Sequence, residues 1–88
     1  MYVYELQPSL KEILQKLLKK DNPLYERVMK KIEEVISSND VEHYKNLRYD
    51  MKDRKGVHVG HFVLVFKFIN EEHKIVFVDF DHHDKIYK

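Results

Sequence analysis

Eight consecutive residues, Phe62-Val63-Leu64-Val65-Phe66-Lys67-Phe68-Ile69, are apolar on both faces of an extended chain. A strand with one wet face alternates apolar and polar side chains, whereas a strand covered on both sides reads as a near-continuous apolar run. This segment therefore predicts a central strand. Its neighbours are at hand. Val57-His58-Val59 precedes it, with Gly60 as a tight turn. Asn70-Glu71-Glu72-His73 follows as a hairpin turn, and Ile75-Val76-Phe77-Val78-Asp79-Phe80 is the last strand. Three consecutive strands joined by short turns form an antiparallel meander.

The first half switches period. Tyr2 to Leu6 alternates and reads as a first strand. Ser9 and Glu12 stand at capping-box spacing, and Leu10, Ile13, Leu14, Leu17 and Leu18 then make one helical stripe. Lys19-Lys20-Asp21 ends that helix, the lysines suiting its negative end. Asn22 as cap and Pro23 at the first helical position start a second helix, striped by Leu24, Val28, Ile32, Val35 and Ile36. Ser37-Ser38-Asn39-Asp40 stops it. The short connection predicts an antiparallel helical hairpin. Val41 to Lys55 reads as irregular loop anchored by Tyr44, Leu47, Tyr49 and Met51, and Asp81 to Lys88 as a tail with one helical turn. The expected fold is α+β, in the order β-α-α-β-β-β. The helical hairpin covers one face of a small, mainly antiparallel four-stranded sheet and leaves the other face available. Residues 1–88 are expected to form one domain.

Composition narrows the class. The chain is 43% hydrophobic and 35% charged, with only two Gly and two Pro, which describes an ordered domain and not a disordered tail. It has no cysteine, so disulfides and thiolate zinc sites are excluded. Tyr2-Val3-Tyr4-Glu5 is too short and too acidic for a signal peptide, and the uninterrupted apolar run Phe62 to Phe66 is too short to span a membrane. A cytoplasmic protein without a membrane partner is the expectation. The net charge of +1 says little, but its distribution says more. Lys45, Arg48, Lys52, Arg54 and Lys55 make a basic stretch before the last three strands, while Asp79, Asp81 and Asp84 lie near the end.

The histidines fall beside strand ends. Five of six lie in the last third: His58 and His61 flank the first meander turn, His73 sits in the second, and His82 and His83 follow the last strand. In a meander the end of the third strand shares an edge with the start of the second, so His61 and His83 are expected at one site, with His58 on the adjoining strand. Imidazole can give or take a proton near neutrality. Histidines beside lysines and arginines suit metal-independent RNA cleavage. A base takes the 2′-hydroxyl proton, the oxygen attacks phosphorus, and an acid protonates the departing 5′-oxygen, each transfer worth roughly 10²–10⁴-fold. Cations stabilise the charge that builds on the phosphoryl oxygens.

Plainer readings stand beside these. A lone histidine at a strand end is usually a solvated polar residue, His73 is a turn residue, and a charge run is usually a solvated loop. If the tail is extended, only one of His82 and His83 faces the site. His58-x-x-His61 and the Asp79 to Asp84 segment offer nitrogen and oxygen metal ligands, but their spacing fits no established motif, and no metal or other cofactor is expected.

The element order, together with Val57-His58-Val59-Gly60-His61-Phe62-Val63-Leu64-Val65-Phe66-Lys67 and Asp81-His82-His83-Asp84-Lys85-Ile86-Tyr87, resembles the RelE/ParE superfamily of toxin–antitoxin toxins, and among them the YafQ-like branch of RelE-type mRNA interferases. The resemblance covers essentially the whole chain. It implies an endoribonuclease that cleaves mRNA on the ribosome, and an antitoxin partner that orders as it wraps the toxin, seated in a groove between hairpin and sheet or on a sheet edge. By this resemblance His58 matches a catalytic histidine and His83 the C-terminal one. His61 falls near a catalytic aspartate, Tyr87 matches a terminal aromatic, Phe62 an aromatic next to the site, and Lys45 a basic or His position before the second strand. His82 is the alternative if the tail register slips by one. Arg48, Lys52, Arg54 and Lys55 complete the expected RNA-binding set. Val63 stands where RelE enzymes proper carry an arginine, and Gly56 at one of their basic positions, which implies a histidine-based site. The same fold also serves ParE-like poisons of DNA gyrase, and a catalytically inactive antitoxin-binding homologue is a third reading.

Overall fold

The computed structural model describes residues 1–47 and 53–87. In chain order these form β1 (Val3–Leu6), α1 (Pro8–Lys20), α2 (Asn22–Ile36), a 3-10 turn at Val41–His43, β2 (Lys55–Val59), β3 (Phe62–Ile69), a 3-10 turn at Asn70–Glu72, β4 (Lys74–His82) and a short α3 (His83–Ile86). The sheet order is β1-β4-β3-β2. β3 runs antiparallel to β2 and to β4, as a meander must, and β1 joins the outer side of β4 in parallel. An ion pair of 2.8 Å between Glu5 and Lys74 ties the outer strand β1 to β4.

The helices begin differently from the sequence reading. α1 starts at Pro8, capped by Gln7 without a side-chain bond, so Ser9 lies inside the first turn and the expected capping box does not form. Proline's fixed φ favours the first helical position, which draws the start upstream. Asp21, not Asn22, caps α2: its carboxylate accepts from the Leu24 amide at 3.2 Å. The Asp21 amide also donates to the Leu17 carbonyl. One residue thus closes one helix and opens the next.

The apolar stripes meet the sheet as their spacing requires. Leu10, Leu14, Val28, Ile32 and Val35 bury against Val59, Leu64, Phe66, Ile75, Phe77 and Phe80. The opposite face is not left bare. Leu47, from the segment before β2, and Ile86, from α3, cover Val63, Val65, Val76 and Val78 in a second, smaller cluster. Both faces of β3 are therefore dry, which is why Phe62–Ile69 lacks alternation.

Two local features set side-chain direction near the site. β2 and β3 are joined by the two-residue turn Gly60-His61, with Gly60 at φ +62°, a conformation glycine adopts without steric cost. β4 carries a bulge. Val65 pairs with Asp79 but Phe66 pairs with Phe77, leaving Val78 as an extra residue. Beyond the bulge the alternation is shifted. Phe80 enters the hairpin-side core, and Asp79 and Asp81, opposite Val65 and Val63, turn to the other face.

Candidate active site

On β2, Val57 and Val59 pack toward the helices, so Gly56 and His58 face the other way. His58 pairs with Val63, which pairs in turn with Asp81, making a row across three strands. α3 folds back over this row. It brings the His83 ring to 5.6 Å from the His58 ring, nearly parallel at 26°. The Tyr87 ring closes the group at 6.1 Å from His58 and 4.9 Å from His83. All three rings reach solvent. The tail is held in place by its backbone, since the His83 amide donates to the His61 carbonyl at 2.8 Å and the Tyr87 amide to the His83 carbonyl at 3.0 Å.

Gly56 and Val63 floor the group. A Cβ on Gly56 would lie 2.9 Å from a Leu47 methyl, 3.0 Å from Val63 and 3.2 Å from the Tyr87 hydroxyl. Glycine leaves room for Tyr87 to lie over the strand. Val63 is fully buried, so the floor is apolar where RelE enzymes proper are expected to carry arginine. Asp84 lies beside His83, with its carboxylate 3.4 Å from Nδ1. In the tautomer with a proton on Nδ1, that contact leaves Nε2 as the working nitrogen.

His61 does not join this group. It sits on the turn, and its ring runs parallel to His82 at 6.4 Å. His82 pairs with Phe62 in register and lies edge-on to its ring at 5.5 Å. Phe62 itself stacks on Phe80 at 5.1 Å, against the hairpin-side core. The five C-terminal histidines thus split: His58 and His83 on one face, His61 and His82 on the rim of the other, and His73 stacked on Tyr2 at the far turn. Convergence of His58, His61 and His83 on one pocket is corrected to a pair plus Tyr87. The cause is the turn, which carries His61 past the end of β2.

The basic residues separate as well. Asn46 forms a bridge with Lys55, which places residues 45 and 47 on the same side as Gly56 and His58. Lys45 is exposed there, while Leu47 is buried. Arg54 is half-buried, with its Nε lacking a partner among the described residues. Lys55 points the other way. Its ammonium donates to the carbonyls of Glu42 and Tyr44 and to Asn46 Oδ1, at 3.3, 3.0 and 2.9 Å. Those three bonds exhaust its donors, so its ammonium has no free N–H to offer a phosphate. Phe62, committed to the other face, is removed from this group. Arg48 and Lys52 lie outside the described residues. Among the described residues, no three His, Asp or Glu side chains are placed to share a metal ion, and no helix is long and apolar enough to cross a membrane. The sequence reading missed the position of Asp84 beside His83 and the face that Asp81 takes beyond the bulge.

Residues 4–87 match the family model described as the ParE toxin of type II toxin–antitoxin system, parDE. A Methanocaldococcus jannaschii protein whose curated name is "Putative toxin RelE4" is 48% identical over 89 residues, spanning 100% of this chain and 93% of that one. The fold matches the toxin–antitoxin complex RelBE2 from Mycobacterium tuberculosis with a TM-score of 0.76 at 18% identity, over 92% of this chain and 90% of that one. It matches the isolated Escherichia coli RelE toxin with a TM-score of 0.73 at 20% identity, over 93% and 84%. The chain belongs to the RelE/ParE superfamily, the toxins of type II toxin–antitoxin systems.

Proposed function

We propose that the protein is an endoribonuclease toxin that cleaves mRNA on the ribosome by general acid–base catalysis without metal. The observation that carries this reading is the adjacency of His58, His83 and Tyr87 on one exposed face, over an apolar floor. Two imidazoles with ring centres 5.6 Å apart stand far enough apart to flank one phosphodiester and near enough to act on it together. His58 is assigned as general base and His83 as general acid; Tyr87 stacks on a base or assists proton transfer. Lys45 and Arg54 stabilise the phosphoryl charge, helped by Arg48 and Lys52 of the basic stretch. The 2′-hydroxyl requirement confines the reaction to RNA.

The partner is an antitoxin, as in the RelBE2 complex whose fold this chain shares. β1 is an outer strand with Val3 and Tyr4 exposed, and a groove beside it is lined by Tyr4, Tyr25, Met29, Ile32 and Ile36. An added strand or amphipathic helix fits there, and the reading places the toxin in the cytoplasm, where mRNA is translated.

Expression of the protein is expected to stop growth and cut translated mRNA, while His83→Ala restores growth and keeps the wild-type circular dichroism spectrum. Undiminished toxicity of folded His83→Ala would remove that residue from the mechanism. The ParE family model keeps a second reading open, poisoning of DNA gyrase. Early DNA damage with intact mRNA would select it.

A further inference from the structure

The rim opposite the candidate active site also carries chemistry. α2 places the exposed Arg27 against the β2–β3 turn, its two terminal guanidinium nitrogens 3.2 and 3.3 Å from where a Cβ would stand on Gly60. Among the described residues Arg27 has no ion-pair partner. His61, the other residue of that turn, carries a ring within 16° of parallel to that of His82, with centres 6.4 Å apart. Phe62, edge-on to His82 and stacked on Phe80, backs the pair with a rigid apolar wall.

We propose that Arg27, His61 and His82 form a second nucleotide subsite, in which a base stacks against the two imidazoles and Arg27 holds its phosphate. The inference rests on the ribonuclease reading and adds to it where the RNA strand goes next. His82 and His83 are adjacent, about 3.8 Å apart at Cα, yet serve opposite faces of the sheet. The bond from the His83 amide to the His61 carbonyl couples tail and turn directly. A strand that presents one phosphate to His58 and His83 crosses the turn and lays a neighbouring nucleotide on the rim. Bases stack readily on histidine rings, and arginine is the usual phosphate partner.

The test measures binding of a short fluorescent RNA, 2′-O-methylated throughout to block cleavage, to the full chain at pH 8 over a range of salt concentrations. Arg27→Ala is expected to weaken binding several-fold and to reduce the slope of log affinity against log salt by about 0.7, the value for one single-strand phosphate contact. Arg27→Lys restores that slope. His61→Ala weakens binding by about fivefold or more with the slope kept, and His61→Phe recovers it, because stacking needs a ring and releases no counterion. RNA binding unchanged in both alanine variants, or absent from the wild type, overturns the subsite and leaves the rim a solvated or protein-contacting surface. Cleavage of translated mRNA, assayed separately with His83→Ala as the inactive control, distinguishes failure of the subsite from failure of the ribonuclease reading.

Discussion

Gly56→Ala tests how the site is built. The added Cβ would stand 2.9 Å from a Leu47 methyl, closer than real Cβ atoms come, and in tight contact at 3.0 Å from Val63 and 3.2 Å from the Tyr87 hydroxyl. The three neighbours differ in their freedom. Val63 is fully buried and β-branched, so it has nowhere to go. Leu47 is 4% exposed and shifts only by disturbing the second core cluster. Tyr87 is 38% exposed and can swing away at little cost. Overpacking of a filled site costs about 1–3 kcal/mol. At roughly 4–8 °C per kcal/mol for a domain of this size, the melting temperature falls by at least ~4 °C.

The same displacement carries Tyr87 off the His58–His83 pair, so activity falls further than stability explains. Thermal denaturation and cleavage of translated mRNA are measured on Gly56→Ala, Tyr87→Phe and the double variant. Removing the hydroxyl relieves the 3.2 Å contact, so the double variant is expected to recover on the order of 0.5 kcal/mol relative to the sum of the two changes. A melting temperature unchanged in Gly56→Ala, or strict additivity in the double variant, would refute the account of Gly56 as the floor under Tyr87.

Three further outcomes follow from the geometry. Asp21→Ala removes the carboxylate that accepts from the Leu24 amide and is expected to cost about 0.5–2 kcal/mol, read from urea unfolding, whereas Ser9→Ala, which caps nothing, leaves the midpoint within error. Lys45→Ala is expected to impair cleavage without lowering the melting temperature, and Lys55→Ala to do the reverse, because Lys55 is bonded to the Glu42 to Asn46 segment. The Lys74 ammonium holds the Glu5 carboxyl below its ordinary value of 4.5. The stability this pair adds is therefore present above that value and lost as pH falls through the lower folded one. Its other limb, Lys74 held above 10.5, is lost only as pH rises beyond that. Glu5→Gln is expected to flatten the acid limb of a melting-temperature profile, modestly, since Glu5 is exposed and Lys74 only half-buried.

Much of the architecture was legible because its signals are periodic. The helical stripes, the apolar run of β3 and the short turns dictate the hairpin and the meander, and the meander dictates that the end of β4 meets the start of β3, as the pairing of Phe62 with His82 shows. Helix caps were less legible. Asp21, Asn22, Ser9 and Gln7 all stand near helix starts, and the choice among them depends on where each helix begins, at Pro8 for α1 and one residue before Pro23 for α2. The covering of the second sheet face was missed because Leu47 and Ile86 are isolated apolar residues in polar segments, and only tertiary structure shows that they reach the same patch.

The histidines show where local pattern stops deciding. Counting by twos from Phe77, whose side chain enters the hairpin-side core, would send Asp79 and Asp81 into that core and Phe80 out of it. Burying two carboxylates while exposing a phenylalanine is unfavourable on both counts. The extra residue Val78 removes the conflict: the bulge restores Phe80 to the core and turns both aspartates to the opposite face. The same shift assigns His82 to the hairpin side, opposite Phe62, and leaves His83 to open α3 over His58. Which of two adjacent histidines faces the candidate site is thus set by the cost of misplacing Phe80, three residues upstream, together with the backbone bond that anchors His83 to the turn. A chemical choice between neighbours is made by core packing.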